Sequence, residues 1–224
     1  MEELKKKVAK RAVKEIQDGQ IIGIGSGTTV SYLIEYLVEK KKLAIGGKDS
    51  FKIDLVAASK ESEVALKKGG FQLKDLNQVP YFDLVLDGAD LIDQDKNLIK
   101  GRGGALFREK MIIKEAKRIV IMADESKLRK QLMPFTLPVE IVPFGAEKTK
   151  KLLGFSGDFR RQGKEYYLTD NHNLLCELEI DQEMDLPVLE KKLKLIPGVV
   201  ETGLFLGFDP EILIAYSDGK VKFI

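Results

Sequence analysis

The chain has 224 residues, of which 44% are hydrophobic and 32% charged, a composition typical of a globular protein that buries a substantial core. The 37 basic and 35 acidic side chains leave a formal net charge of +2, so no basic excess indicates nucleic-acid binding. A single cysteine excludes an intrachain disulfide and a zinc-binding cysteine cluster, and a single histidine excludes a Ser-His-Asp triad and multi-histidine metal sites.

The N-terminal residues 1–16 are amphipathic and charged throughout, and they lack the apolar stretch of a signal peptide. No run of about 18 apolar residues, the length that spans a membrane, occurs in the sequence. Because the only cysteine is Cys176, a reducing compartment fits, and we expect a cytoplasmic protein without membrane contacts. The basic runs at residues 5–7 and 40–42 are interpreted as solvated ends of helices.

The first third of the chain alternates between helix and strand patterns. Apolar residues at helical spacing predict three helices, over residues 3–17, 30–41 and 60–68. Short β-branched runs predict three strands, at residues 20–25, 53–58 and 71–73. Ser59 can cap the third helix, and the glycines that follow Lys68 can end it.

A glycine-rich loop joins the first strand to the second helix. Small residues let the backbone approach an anion, and a helix N-terminus offers free amides and the positive end of its dipole. The candidate phosphate ligands in this loop are Ser26, Gly27, Thr28 and Thr29. Thr28 occupies the third-glycine position of a dinucleotide fingerprint, and the P-loop lysine is absent, so the pattern favours a monophosphate ester. A simple helix N-cap is the alternative that the pattern leaves open.

The stretch from residue 83 to 110 carries the clearest chemical signal. An apolar run at residues 83–86 predicts a buried strand, and Asp87, Gly88, Ala89 and Asp90 follow it directly. Ligands of an open parallel sheet lie beyond the carboxyl ends of its strands, so both carboxylates are expected to face a site. A second glycine-rich segment then leads into a helix, and its residues are Lys100, Gly101, Arg102, Gly103 and Gly104.

That helix, predicted over residues 105–117, places Glu109 in the middle of its apolar arc, while the charged residues around it, including Lys110, are expected on the solvent side. An ionised carboxylate is costly to bury among apolar groups, and such a group suits a general base that works near neutral pH. A structural ion pair with a neighbouring lysine or arginine is the alternative. The presence of Asp87, Asp90 and Lys100 on the same predicted rim favours the functional interpretation.

A strand predicted at residues 118–123 ends in Asp124 to Lys127, which places Lys127 on the same carboxyl edge. After residue 133, prolines mark a linker-like run that contains a predicted strand at residues 139–142, and a helix is predicted at residues 146–153. With the later elements these follow a βαββαβ-like order typical of a small α+β domain. A closing hairpin is predicted at residues 212–223. We therefore predict an α/β protein with a mostly parallel sheet flanked by helices. Its large domain is expected to comprise residues 1–132 and 205–224, and its small domain residues 133–204.

Four motifs occur in the order and spacing of one known family, namely Gly23 to Thr29, Asp87 to Asp90, Lys100 to Lys110 and Ala123 to Lys127. Shorter matches at residues 137–140, 169–171 and 196–200 extend the likeness over essentially the whole chain. On these motifs the chain resembles ribose-5-phosphate isomerase, type A. The resemblance implies interconversion of ribose 5-phosphate and ribulose 5-phosphate without metal or cofactor. It also implies a Rossmann-like large domain, a ferredoxin-like small domain with a role in assembly, and a homodimer or homotetramer.

The resemblance also implies a role for each motif. Glu109 would move a proton between C1 and C2 of the sugar, and Lys100 with the following glycine amides would stabilise the enediolate oxygen. Asp87 and Asp90 would assist ring opening and hold hydroxyl groups. The implied substrate-binding residues are Ser26, Gly27, Thr28, Thr29, Asp87, Gly88, Ala89, Asp90, Lys100, Gly101, Arg102, Gly103 and Lys127. Family members commonly have threonine at the position of Ser26, and several have glycine at that of Arg102.

Two other functions are alternatives. An amino-sugar phosphate isomerase/deaminase is expected to open the ring with a histidine, and the only histidine, His172, lies in a predicted polar turn. A non-catalytic sugar-phosphate sensor would need neither Glu109 nor Lys100. The expected partner in every case is a small sugar phosphate, not nucleic acid or a membrane.

Overall fold

The structure, a computed structural model, describes residues 1–45 and 51–224. Its helices are α1 (Glu2–Ala12), α2 (Thr28–Ile45), α3 (Lys60–Lys68), α4 (Leu106–Lys114), α5 (Ala146–Leu153) and α6 (Leu186–Lys194). Its strands are β1 (Ile21–Ile24), β2 (Asp54–Ala57), β3 (Leu84–Gly88), β4 (Leu91–Ile92), β5 (Leu98–Ile99), β6 (Ile119–Asp124), β7 (Phe135–Ile141), β8 (Gly157–Phe159), β9 (Arg161–Gln162), β10 (Glu165–Tyr166), β11 (Leu174–Ile180), β12 (Val199–Thr202), β13 (Leu204–Phe205), β14 (Glu211–Ala215) and β15 (Val221–Phe223).

The described chain divides into two compact units. The first unit comprises Met1–Ala89, Arg108–Leu128 and Phe208–Ile224, and the second comprises Asp90–Phe107 and Arg129–Gly207. This division differs from the predicted domains, 1–132 with 205–224 and 133–204, chiefly at residues 90–107. That segment lies with the second unit because its strand β5 pairs with β13, and the Lys100 amide donates to the Gly203 carbonyl over 2.9 Å.

The first unit is built on a six-stranded sheet in the order β15-β14-β6-β3-β1-β2. The five strands from β2 to β14 run parallel, and β15 adds an antiparallel edge that closes the predicted hairpin. Strand order reverses between β1 and β3, which makes the crevice at their carboxyl ends the place where such sheets bind ligands. The predicted α/β fold with a mostly parallel, helix-flanked sheet is confirmed.

Local sequence explains how the helices of this unit begin and end. In α1, acidic residues occupy the first turn and basic residues the last, as the helix dipole favours, and Val8, Ala9 and Ala12 are buried. In α3, the Ser59 hydroxyl caps the first turn by accepting from the Ser62 amide over 3.1 Å. These helices cover a core in which residues of β1, β3 and α2 are fully buried.

The second unit contains a four-stranded antiparallel sheet in the order β12-β7-β11-β8. With α5 between β7 and β8, and α6 between β11 and β12, the chain follows the predicted βαββαβ order. Helices α5 and α6 contribute Leu153, Leu189 and Leu193 to the core against one face of the sheet. A three-stranded sheet, β13-β5-β4, lies in the same unit.

The strand predicted at residues 139–142 is present as β7, but it begins earlier, at Phe135, inside the proline-marked run. It pairs with β11 on one side and β12 on the other. It tolerates Pro138 because β12 shifts register between Val199 and Glu201, and because the Pro138 carbonyl accepts from Gly203 over 2.7 Å. The strand predicted at residues 71–73 is only an isolated bridge from Leu73 to β2.

None of the helices within residues 1–45 and 51–224 combines the length and hydropathy needed to cross a bilayer.

Candidate active site

The carboxyl ends of β1 and β3 bring Gly25 and Asp87 together. Asp87 is fully buried, and its Oδ1 accepts the backbone amides of Ser26 over 3.2 Å and of Gly88 over 2.7 Å. A Cβ atom added at Gly25 would overlap the Asp87 carboxyl group, so a side chain at position 25 would displace it. One carboxylate therefore fixes the start of the first glycine-rich loop.

Glu109 reaches the same loop from the first turn of α4. Its side chain is only 4% exposed, and its Oε1 accepts the Ser26 hydroxyl over 2.6 Å. The helix packs closely on the sheet at this point, because a Cβ atom at Gly23 would collide with Ile112. Ser26 thus links both carboxylates of the first unit, through its amide to Asp87 and through its hydroxyl to Glu109. The structure thus brings together Ser26 with Asp87, 61 positions away, and with Glu109, 83 positions away.

The solvent-side interpretation of Lys110 is wrong, because its side chain is 3% exposed. Residues four apart share a face of a helix, so Lys110 lies one turn beyond the buried Leu106. The helix also ends at Lys114, three residues before the predicted end. Leu106, Ile112 and Ile113, which form the apolar arc of the predicted helix, are buried.

The helix α2 begins at Thr28, directly after Gly27, whose φ of +87° lets the chain turn from strand into helix. The first amides of a helix have no intrahelical acceptors, so this end suits an anion. A contact that the sequence did not predict lies here, since Lys5 Nζ of α1 donates to Thr28 Oγ1 over 2.7 Å. Lys5 is half-buried and is therefore not merely a solvated helix end.

The neighbouring strand β6 ends on the same carboxyl edge. Its last residue, Asp124, is 1% exposed, and its Oδ1 accepts the Ser126 amide over 3.0 Å and also the Ser126 hydroxyl. Lys127 ends the short 3-10 helix that follows, Glu125–Lys127. The prediction that Lys127 leaves the sheet at this edge agrees with the register of β6 beside β3.

In the second unit, the other predicted residues lie around the second glycine-rich segment. Asp90 Oδ2 accepts the Arg102 amide over 2.9 Å, which ties this segment to the end of the Asp87–Asp90 motif. Lys100 is 3% exposed, and its Nζ lies 5.5 Å from the ring centroid of Phe205. The electrostatic attraction between an ammonium group and the face of an aromatic ring stabilises the charge where water is excluded. Among the described residues, no group of three or more His, Cys, Asp or Glu side chains could hold a metal ion.

Comparison with known proteins identifies the family. The sequence profile of the family described as ribose 5-phosphate isomerase A (phosphoriboisomerase A) matches residues 54–219. The chain belongs to this family. A curated relative named ribose-5-phosphate isomerase A from Deinococcus radiodurans is 41% identical, with 98% of this chain and 96% of that protein covered. A relative of the same name from Rhodopseudomonas palustris (strain TIE-1) is 36% identical over 97% of this chain and 96% of its own length.

Solved structures of the family agree with this assignment. Ribose 5-phosphate isomerase from Plasmodium falciparum superposes with a TM-score of 0.92 at 34% identity, covering 100% of this chain and 98% of that one. Ribose 5-phosphate isomerase A from Methanocaldococcus jannaschii superposes with a TM-score of 0.90 at 32% identity, covering 100% and 98%. The chain is therefore an isomerase that interconverts ribose 5-phosphate and ribulose 5-phosphate. The deaminase and sensor alternatives are set aside by this family membership.

Proposed function

We propose that the isomerisation proceeds through an enediolate, with Glu109 as the base that moves the proton between C1 and C2. The observation that carries this proposal is the environment of Glu109. Its carboxylate is almost fully buried and accepts a hydroxyl from the loop at the β1–β3 crevice. A fixed carboxylate that is shielded from water suits abstraction of a proton from carbon. The sole histidine, His172, is exposed in a turn with a φ of +62°, so a carboxylate is the better candidate for the base.

The phosphate group of the sugar is proposed to bind at the first glycine-rich loop. Ser26, Gly27, Thr28 and Thr29 supply amides and hydroxyls at the N-terminus of α2, where the helix dipole favours an anion. Lys127, on the neighbouring strand end, supplies a further cation. Asp87 is proposed to hold a sugar hydroxyl and to assist ring opening together with Asp90, with the backbone of Gly88 and Ala89 between them.

Lys100 is proposed to stabilise the enediolate oxygen together with the amides of the following segment. The support is the family motif and the burial of its ammonium group within the second unit. Gly101, Arg102 and Gly103 contribute their backbone to the same role. Removal of one oxyanion donor in other enzymes lowers kcat by about 10²–10³. We therefore expect Lys100→Ala to lower kcat by about 10²-fold or more without changing the melting temperature by more than a few degrees.

The direct test of the base is proton exchange in deuterated water. Glu109→Gln keeps the size of the side chain and its ability to accept from Ser26, but it removes the basic oxygen. We expect the variant to lose deuterium incorporation at C2 of ribose 5-phosphate, as measured by proton NMR. Glu115→Gln is the matched control, because Glu115 is an exposed carboxylate just beyond the end of the same helix.

Binding must be measured in parallel to interpret this test. One solved relative, 33% identical, is a complex with phospho-erythronic acid, which makes this compound a suitable probe. Glu109→Gln should still bind it, as measured by calorimetry, because the phosphate loop is unchanged. If Glu109→Gln retains C2 exchange at the rate of the Glu115→Gln control, Glu109 is not the base.

We further propose a cytoplasmic homodimer or homotetramer. The single cysteine supports a reducing compartment, since the chain has no intrachain disulfide that would need an oxidising one. The assembly rests on the family resemblance. Sedimentation velocity at micromolar concentration checks it, and a single species at 25.1 kDa would contradict it.

A further inference from the structure

The second glycine-rich segment is held from one side by two side chains of the same unit. Arg160 Nη1 donates to the Arg102 carbonyl over 2.7 Å, and its Nη2 donates to the Gly101 carbonyl over 3.4 Å. The Tyr167 hydroxyl donates to the Gly103 carbonyl over 3.3 Å. Three successive carbonyl groups of the segment therefore point at this pair of side chains.

The two side chains are themselves fixed. Arg160 donates from Nε over 3.1 Å and from Nη2 over 2.6 Å to Glu177 Oε1 on β11. Its guanidinium carbon lies 5.4 Å from the ring centroid of Tyr167, and the Tyr167 amide donates to the Arg160 carbonyl over 2.9 Å. The Arg160 side chain is only 17% exposed. A planar guanidinium that binds a carboxylate and a carbonyl at once has little rotational freedom left.

Gly104 leaves the space that the Tyr167 side chain occupies beside residues 101–104. A Cβ atom at position 104 would overlap the hydroxyl and ring of Tyr167, and the backbone φ of +77° favours glycine in any case. The Gly104 amide closes the turn by donating to the Gly101 carbonyl over 2.9 Å. The tyrosine ring thus occupies the space that a side chain at position 104 would need.

A fixed carbonyl also fixes the amide of the next residue. In a trans peptide the carbonyl and the following N–H point in opposite directions across one rigid plane. Because Arg160 holds the Arg102 carbonyl, it also sets the direction of the Gly103 N–H, which points away from the arginine. That amide is one of the donors assigned to the enediolate oxygen under the proposed function.

We propose that Arg160 and Tyr167 are positioning residues for the isomerisation, which hold the peptide planes of residues 101–104 so that the Gly103 amide is aimed for the transition state. The inference rests on the proposed function of this segment. The two residues lie between β8 and β11 in the chain, and they belong to none of the family motifs identified in the sequence. Neither residue needs to touch the substrate.

The neighbouring pair Arg161 and Tyr166 provides a matched control. The Arg161 guanidinium carbon lies 4.6 Å from the Tyr166 ring centroid, and Arg161 donates to the Lys164 carbonyl within its own hairpin. The control pair therefore repeats the arginine–tyrosine contact without reaching residues 101–104. The comparison uses Arg160→Met against Arg161→Met, and Tyr167→Phe against Tyr166→Phe.

The readouts are kcat and KM for ribose 5-phosphate, together with the inhibition constants of phospho-erythronic acid and inorganic phosphate. We expect Arg160→Met to lower kcat by about 10-fold to 100-fold relative to Arg161→Met, as misplaced catalytic groups do. Tyr167→Phe, which removes one hydroxyl, should lower kcat by about threefold relative to Tyr166→Phe. KM and phosphate inhibition should stay within twofold of the controls, while inhibition by phospho-erythronic acid, whose carboxylate offers oxygens to the amides, should weaken.

Two outcomes would overturn the proposal. One is a kcat within twofold of the controls for both variants. The other is a loss of activity that disappears when rates are corrected for the folded fraction, which would assign a merely structural role. Tyr167→Phe keeps the test decisive if Arg160→Met fails to fold, because loss of one hydroxyl leaves the ring packing unchanged. These outcomes do not depend on the exchange measurement with Glu109→Gln, so failure of the base assignment is distinguishable.

Discussion

The hydroxyl of Ser26 donates to Glu109 Oε1 over 2.6 Å, so the loop assigned to the phosphate also orients the group assigned to the proton. A hydrogen bond to a buried charged group contributes about 1.5–3 kcal/mol. A carboxylate that takes a proton from carbon must hold one direction while it does so. Ser26 therefore connects anchoring of the substrate with orientation of the base.

Replacement of Ser26 tests this connection. We expect Ser26→Ala to lower kcat by about 10-fold to 100-fold, since 1.36 kcal/mol corresponds to tenfold in rate. Ser26→Thr is the matched control, because threonine keeps the hydroxyl. Initial rates of ribose 5-phosphate isomerisation provide the measurement. Equal kcat values for the alanine and threonine variants would show that the hydrogen bond does not matter for catalysis.

Gly25 is expected to be intolerant of a side chain. Because a Cβ atom there would overlap the Asp87 carboxyl group, Gly25→Ala must push this group out of its bonds to the Ser26 and Gly88 amides. We expect a loss of about 1–3 kcal/mol in the free energy of unfolding, the usual result of overpacking.

Gly88→Ala is the comparison for folding, since the nearest atom to its added Cβ would be the Met122 carbonyl oxygen at 3.8 Å. Urea denaturation followed by circular dichroism gives both free energies of unfolding. If Gly25→Ala is as stable as Gly88→Ala, the Asp87 carboxylate has room to move and does not fix the loop.

Much of the fold follows from local signals in the sequence. Helices α3 and α5 begin and end where they are predicted, because Ser59 caps the former and left-handed glycines flank the latter at positions 145 and 154. By contrast, β4 and β5 have two residues each, too few to show a period of two. The pairing of β5 with β13 depends on residues about 100 positions away, which no local pattern reveals.

The candidate site divides in the same way. Ser26 and Asp87 could be predicted to converge, because the carboxyl ends of parallel strands meet at one edge of a sheet. Glu109 could be selected because it lies on the apolar arc of its helix. The contacts of Lys5 and Arg160 could not, because their partners, Thr28 and the 101–102 carbonyls, depend on tertiary packing alone. Glu140 is similar, since the fully buried Oε1 of this residue accepts from three side chains of the 169–173 turn. The sequence shows two family motifs there, and only the structure shows that they bind each other.

Lys5 is expected to contribute to phosphate binding through its contact with Thr28. Lys5→Ala should raise KM for ribose 5-phosphate about fivefold while kcat stays nearly constant, because a partly exposed lysine paired with the phosphate contributes about 1 kcal/mol to ground and transition states alike. Lys7→Ala is the control, since Lys7 is exposed on the same helix. The difference in KM between the two variants should shrink at high ionic strength, where exposed charges are screened. A lower kcat with unchanged KM would contradict a binding role.

The acid stability of the first unit is expected to depend on Arg118. Its Nε and Nη2 donate to the two carboxylate oxygens of Glu211 over 2.7 Å each, and Nη2 also donates to Glu15 over 2.8 Å. Burial raises the pKa of Glu15, but hydrogen bonds from Arg11 and Arg118 outweigh it and hold the pKa below its ordinary value of 4.5. A carboxylate with a lowered pKa stabilises the fold fully above that ordinary value, and the stabilisation is lost as the pH falls through the folded-state pKa.

Arg118→Met should therefore lower the free energy of unfolding by about 1–2 kcal/mol near neutral pH, since the guanidinium is partly exposed and its ion pairs are screened. The difference from the wild type should narrow as the pH falls below 4.5, because protonated carboxylates no longer need the cation. Lys220→Met, which removes the partner of the exposed Asp218, should change the free energy little at any pH. Thermal unfolding at several pH values gives the free energy of unfolding of the wild type, Arg118→Met and Lys220→Met. If the free energies of unfolding of Arg118→Met and the wild type differ by a constant amount down to about pH 3, the arginine does not lower the pKa of Glu15.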